Sequence, residues 1–111
     1  MKYYCGIDLH TRDSVLCVID ARDRIHLRER VPNCIFTIVE MLDLFSSRPS
    51  VVVEATLNWY WLVDGLKDHG FKVKLAHTFG LSMITGAKVK TDQRDAFTLA
   101  RLLRLDAIPE A

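Results

Sequence analysis

Few cysteines, few prolines and the lack of any long apolar run set the first limits on this chain. No apolar segment approaches the roughly 18 residues of a membrane helix, so no membrane association is expected. The N-terminus, Met1-Lys2-Tyr3-Tyr4-Cys5-Gly6, enters a strand pattern directly, without a signal peptide's apolar segment or small-residue cleavage site. The three cysteines, Cys5, Cys17 and Cys34, lie far apart with no CxxC pair. Their expected state is a reduced, buried thiol rather than a disulfide, a metal ligand or a nucleophile, and a cytoplasmic location follows as the expectation. Net charge is only +1, which argues against a domain that holds nucleic acid by bulk charge alone. There is no internal repeat and no low-complexity segment.

What is present fits one soluble domain over residues 1–111, half hydrophobic and about a quarter charged. The charge is uneven. Arg22, Arg24, Arg28 and Arg30 cluster early, and Lys88, Lys90, Arg94, Arg101 and Arg104 cluster late, so a local basic surface is expected. Tyr3 to Leu9 alternates, with Tyr3, Cys5, Ile7 and Leu9 on one side and Tyr4, Gly6 and Asp8 on the other. Ser14 to Asp20 and Arg24 to Val31 read as two further strands of an antiparallel meander. Asn33 is the expected cap of a helix from Cys34 to Phe45. Val51 to Ala55 reads as a strand buried on both faces. Asn58 is the expected cap of a helix ending at His69-Gly70, and Phe71 to Ala76 is a fifth strand. A short helix from Thr78 to Ile84, a basic loop from Gly86 to Lys90 and a final helix capped at Thr91 or Asp92 complete the chain. This order, βββ-α-β-α-β-α-α, predicts an α/β, ribonuclease-H-like mixed sheet of five strands flanked by helices, with the fourth strand parallel beside the first.

Four acids are hard to explain by that pattern alone. Asp8 interrupts a strand, where Asp is disfavoured, and Glu54 closes a run of three valines. Each has an ordinary alternative, a half-exposed strand face for Asp8 and returning polarity at a strand end for Glu54. Asp92 and Asp95 open the last helix, where capping and the helix dipole would also favour them. However, Asp92 shares a stripe with Ala96, Leu99 and Leu103, and Asp95 lies beside it with Leu99 and Leu102, so both acids are expected to face the sheet. Isolated buried carboxylates are costly. A shared site for Mg²⁺ or Mn²⁺, which favour oxygen ligands, is the economical explanation. Metals so held suit phosphodiester chemistry. His10 and His77, near the same strand ends, read as polar loop residues without zinc-motif spacing.

Three stretches, Gly6-Ile7-Asp8-Leu9-His10, Val53-Glu54-Ala55-Thr56 with Asn58-Trp59-Tyr60, and Ala87-Lys88-Val89-Lys90-Thr91-Asp92-Gln93-Arg94-Asp95-Ala96, together resemble the N-terminal DEDD, RuvC-like domain of insertion-sequence 110 transposases, relatives of the Piv/MooV invertases. The resemblance covers essentially the whole chain. It implies an acidic tetrad at Asp8, Glu54, Asp92 and Asp95, a divalent metal (normally Mg²⁺), and DNA recombination. It also implies a bridge RNA as a partner and a homo-oligomer in the full-length form. Lys88, Lys90 and Arg94 are the candidate nucleic-acid contacts. Two departures stand out. Leu57 replaces the family's usual Gly and is expected to crowd the loop beside the metal site. The family also continues into a second domain bearing a nucleophilic serine, so this chain is expected to be a fragment without it, and Ser14 and Ser82 are not candidates for that role.

Two other functions compete. Gly6-Ile7-Asp8 with Thr11 and Ser14 also resembles the first phosphate hairpin of actin-like kinases and ATPases, but no second hairpin or Gly-rich adenosine segment follows. A non-catalytic nucleic-acid-binding or dimerisation module would use Phe97, Arg94, Arg101 and Arg104 as an exposed face.

Overall fold

The computed structural model describes residues 1–85 and 95–111. Lys88, Lys90, Asp92 and Arg94, singled out above, lie outside the described residues. The elements are β1 (Tyr3–Leu9), β2 (Asp13–Asp20), β3 (Ile25–Pro32), α1 (Ile35–Leu42), β4 (Ser50–Glu54), α2 (Tyr60–Asp68), β5 (Val73–Ala76), α3 (Thr78–Thr85) and α4 (Ala96–Arg104). They form one sheet in the order β3-β2-β1-β4-β5. β1, β2 and β3 pair antiparallel, and β4 and β5 run parallel to β1. This is the meander followed by parallel crossovers that the hydrophobic pattern predicts.

Alternation along the strands divides the core in two. Cys5, Ile7, Leu16, Val18, Val51 and Val53 pack on one face with Ile38 and Leu42 of α1 and Leu62 and Leu66 of α2. On the other face, Val52 and Ala76 meet Leu99 and Leu103 of α4, and Cys17 and Ile19 meet Ala96 and Ala100. Gly6 stands at the centre of this second face. A Cβ there would overlap the Ala96 carbonyl oxygen and come within 2.9 Å of the Leu99 Cβ. Glycine therefore lets α4 lie directly on β1, and this close approach places the start of α4 above the C-terminal half of β1.

Several element boundaries differ from the sequence expectation, each for a local reason. Asn33 does not cap α1, whose N-cap is Cys34. Its side chain instead ties the first hairpin, donating to the His10 carbonyl at 2.8 Å and accepting from the Ser14 hydroxyl at 2.6 Å. Asn58 does not cap α2 either. It adopts a left-handed conformation, φ +67°, which Asn tolerates, and the N-cap is Trp59. Asp95 caps α4. Phe97, expected on the solvent side, is half-buried, with the guanidinium groups of Arg28 and Arg101 5.8 and 5.7 Å from its ring centre. Arg101 and Arg104 both donate to Asp23 in the β2–β3 turn. The basic face of α4 is thus largely engaged within the molecule.

Candidate active site

The parallel register of β1 and β4 pairs Gly6 with Val52 and Ile7 with Val53. One step further along both strands are Asp8 and Glu54. Paired residues of neighbouring strands share a face, and faces alternate. The two carboxylates therefore stand side by side on the face of Gly6 and Val52, the face on which α4 packs. This is the juxtaposition expected from strand order.

Their surroundings are unusual for carboxylates. Glu54 is only 4% exposed, and the Asp8 side chain 16%. Asp8 Oδ2 lies 3.0 Å from His10 Nε2, while Asp8 Oδ1 is buried with no hydrogen-bond partner among the described residues. The Thr56 hydroxyl, two residues beyond Glu54, is in the same condition. Buried polar atoms without partners are uncommon in folded proteins, and each calls for an explanation.

Asp95 departs from its expected orientation. It is exposed, and its Oδ1 accepts the Thr98 backbone N–H at 2.7 Å as the N-cap of α4. The inward-facing stripe presumed that Asp95 lay inside the helix, and the helix begins one residue later. Its carboxylate still lies within electrostatic range of the sheet. Burial is the main cause of the raised Cys17 thiol pKa; Arg28 opposes that shift and Asp95 adds to it. Ala96, the next residue, packs its carbonyl against Gly6, so Asp95 is held near the middle of β1.

The structure thus brings Asp8 and Glu54 together on one sheet face and sets Asp95 at the start of the helix that packs on Gly6 of that face. Among the described residues, no group of three or more His, Cys, Asp or Glu is arranged to hold a metal ion. The fit of a divalent cation rests on narrower ground: adjacent oxygen donors on one face, one buried oxygen left bare, and no nitrogen-rich or sulfur-rich set competing. On those observations the residues present suit Mg²⁺ or Mn²⁺ as part of a site.

The neighbours clarify other expectations. Leu57 is 94% exposed, so it points away from the acids and does not crowd them. His77 has a structural task at the start of α3, where its Nδ1 accepts the Gly80 N–H at 3.1 Å. His10, read as a loop residue, contacts Asp8 directly. The signal was its position two residues on, on the same strand face. A groove of roughly 730 Å³ lies between the β1–β2 turn and the β4–α2 turn, with His10, the partner of Asp8, in its wall. It is lined by residues 9–12, 56–58 and Tyr60. Arg12 was not singled out by sequence because no periodic pattern places it there.

Comparison with known proteins agrees with this geometry. A family model described as a transposase, of the insertion-sequence 110 DEDD type, matches residues 5–109. Among solved structures, T. thermophilus RuvC in complex with a Holliday junction substrate superposes with a TM-score of 0.63. The match is 15% identical and covers 100% of this chain and 100% of that one. At that identity the likeness shows the fold, the RuvC-like form of the ribonuclease-H architecture. A comparison with curated proteins gives no match.

Proposed function

The chain belongs to the insertion-sequence 110 DEDD transposase family, and we propose that it is the metal-dependent, phosphodiester-cutting domain of a DNA transposase or recombinase. The observation that carries this reading is the bare, buried Asp8 Oδ1 beside the buried Glu54, at the matching ends of two parallel strands. A structural acid would be expected to fill its hydrogen-bonding capacity from the protein. Asp8 and Glu54 would hold Mg²⁺ or Mn²⁺ through carboxylate oxygens, with Asp92 and Asp95 as the other members of the set. When bound, such a cation lowers the pKa of an attacking hydroxyl or water and offsets charge on the leaving oxygen.

The chain's own residues supply position. β1 and β4 fix the spacing of Asp8 and Glu54 through their register, and Gly6 lets α4 pack on the same sheet face. His10 fixes one Asp8 oxygen and so turns the other toward the site. The cap at Asp95 ties that residue to α4. Lys88, Lys90 and Arg94 are proposed to contact DNA phosphates. A bridge RNA, a second serine-bearing domain and assembly of several copies belong to the same proposal, as does a cytoplasmic site of action. No helix among the described residues is long and apolar enough to cross a membrane.

Calorimetric titration of Mn²⁺ tests this reading. Wild type should bind saturably. Asp8→Ala and Glu54→Ala should each lose about tenfold or more in affinity, at the scale seen when groups around metal sites are removed. Equal affinity in all three proteins would sink the shared site.

A further inference from the structure

The groove between the β1–β2 and β4–α2 turns has a composition that the metal site does not explain. Leu57, on the short connection from β4 into α2, is 94% exposed, and Tyr60, the first residue of α2, is 57% exposed. The left-handed turn at Asn58 lies directly after Leu57, between it and the start of α2. The Trp59 ring packs against Tyr60 at 6.0 Å, nearly perpendicular, so Tyr60 has support on one side. Across the groove is Arg12. Its backbone carbonyl accepts the Asn33 N–H at 3.1 Å, which anchors the turn. Its guanidinium is exposed and has no carboxylate partner among the described residues, whereas Arg30, Arg48, Arg101 and Arg104 each have one. No carboxylate among the described residues lines the groove.

We infer that this groove is a nucleotide subsite: it seats the nucleotide next to the bond to be cut, with Leu57 and Tyr60 against its base and Arg12 on its phosphate. The inference rests on the DNA-cutting reading above. Position and charge select the occupant. His10, whose Nε2 lies 3.0 Å from Asp8 Oδ2, lines the groove, as does Thr56, two residues after Glu54, so a strand delivering a phosphodiester to the acids would run along it. A nucleotide offers a π-face for an aromatic ring and an apolar side chain, with an anion beside it. The groove pairs those two needs.

Anisotropy of a fluorescein-labelled DNA single strand, with Ca²⁺ present to suppress cutting, tests the assignment. Tyr60→Ala should weaken binding about tenfold, and Leu57→Ser several-fold. Arg12→Ala should weaken it about tenfold and lower the slope of log affinity against log salt by about one charge's worth. Because Leu57, Tyr60 and Arg12 are exposed, melting temperature should not change, and Mn²⁺ affinity should stay within about twofold of wild type. If all three variants bind DNA within about twofold of wild type, the subsite is wrong. An RNA strand of the same sequence that alone loses affinity in the variants would overturn it equally. Loss of the metal site is read separately, by Mn²⁺ calorimetry on Asp8→Ala, and bears on the reaction rather than on this groove.

Discussion

Two strand-end aspartates, Asp20 and Asp8, are held in opposite ways. Asp20, 6% exposed at the end of β2, accepts the backbone N–H groups of Arg22 and Arg24 at 2.8 and 3.1 Å. Its second oxygen lies 2.8 Å from His26 Nε2. With these bonds, that of His26 foremost, its carboxyl is lowered from an ordinary 3.8 to about 2. Asp8 has one contact, to His10, and a second oxygen that is buried and bare among the described residues. The turn at Asp20 supplies every partner its carboxylate needs. The end of β1 does not, and it places Glu54 alongside. An acid that folding satisfies serves the fold; one that folding leaves wanting is where the proposal places a ligand.

The largest effect that sharpens this contrast comes from Gly6→Ala. The added methyl meets α4 backbone, which cannot move aside as a flexible side chain would. A loss on the order of 3 kcal/mol is expected, the upper range for overpacking a core, read as a lower urea midpoint. The β2–β3 turn lies away from this contact, so hydrogen-exchange protection of the Arg22 and Arg24 amides should fall only with global stability. Selective loss at that turn would break the separation between the two regions.

Acid titration gives an intermediate effect. The folded pKa of Asp20 is depressed, so its contribution is fully present above its unfolded value near 3.8 and is lost as pH falls through about 2. Asp20→Asn should lower the melting temperature at neutral pH and flatten the decline in stability across that window. A decline as steep as wild type would show that the Asp20 turn is not what the acid removes.

The smallest effect belongs to Asp23→Asn. Asn keeps the left-handed conformation, φ +63° at this position. It loses the ion pairs to Arg101 and Arg104, which are partly exposed, and the cost should be below about 1 kcal/mol by thermal denaturation. A loss of Mn²⁺ affinity in this variant would mean that the far end of α4, rather than Gly6, sets the acid end.

Much of this contrast is legible in the order of the residues alone. The alternation in β1 and the valine run of β4 expose Asp8 and Glu54 as misfits, and strand order brings them together. The faces of Gly6 and Asp8 follow from period two alone. Other parts depend on tertiary competition. Asn33 has the composition of a helix cap, but the hairpin turn captures its side chain. Asp95 reads as inward-facing only if the helix starts before it, and helix starts are the least secure part of a periodic pattern. Phe97 reads as exposed because its cover, Arg28, comes from β3, far away in sequence. The groove of Arg12, Leu57 and Tyr60 joins two turns whose conformations no periodicity encodes.

The most direct test of the central claim compares the two aspartates by thermal unfolding with and without Mn²⁺. A ligand that binds only the folded state stabilises it by about 2.7 kcal/mol at a hundred times its Kd. Wild type and Asp20→Asn should both gain melting temperature when Mn²⁺ is added, and Asp8→Asn should gain little. An equal gain in Asp8→Asn, or none in wild type, would contradict the assignment of Asp8 to a metal site.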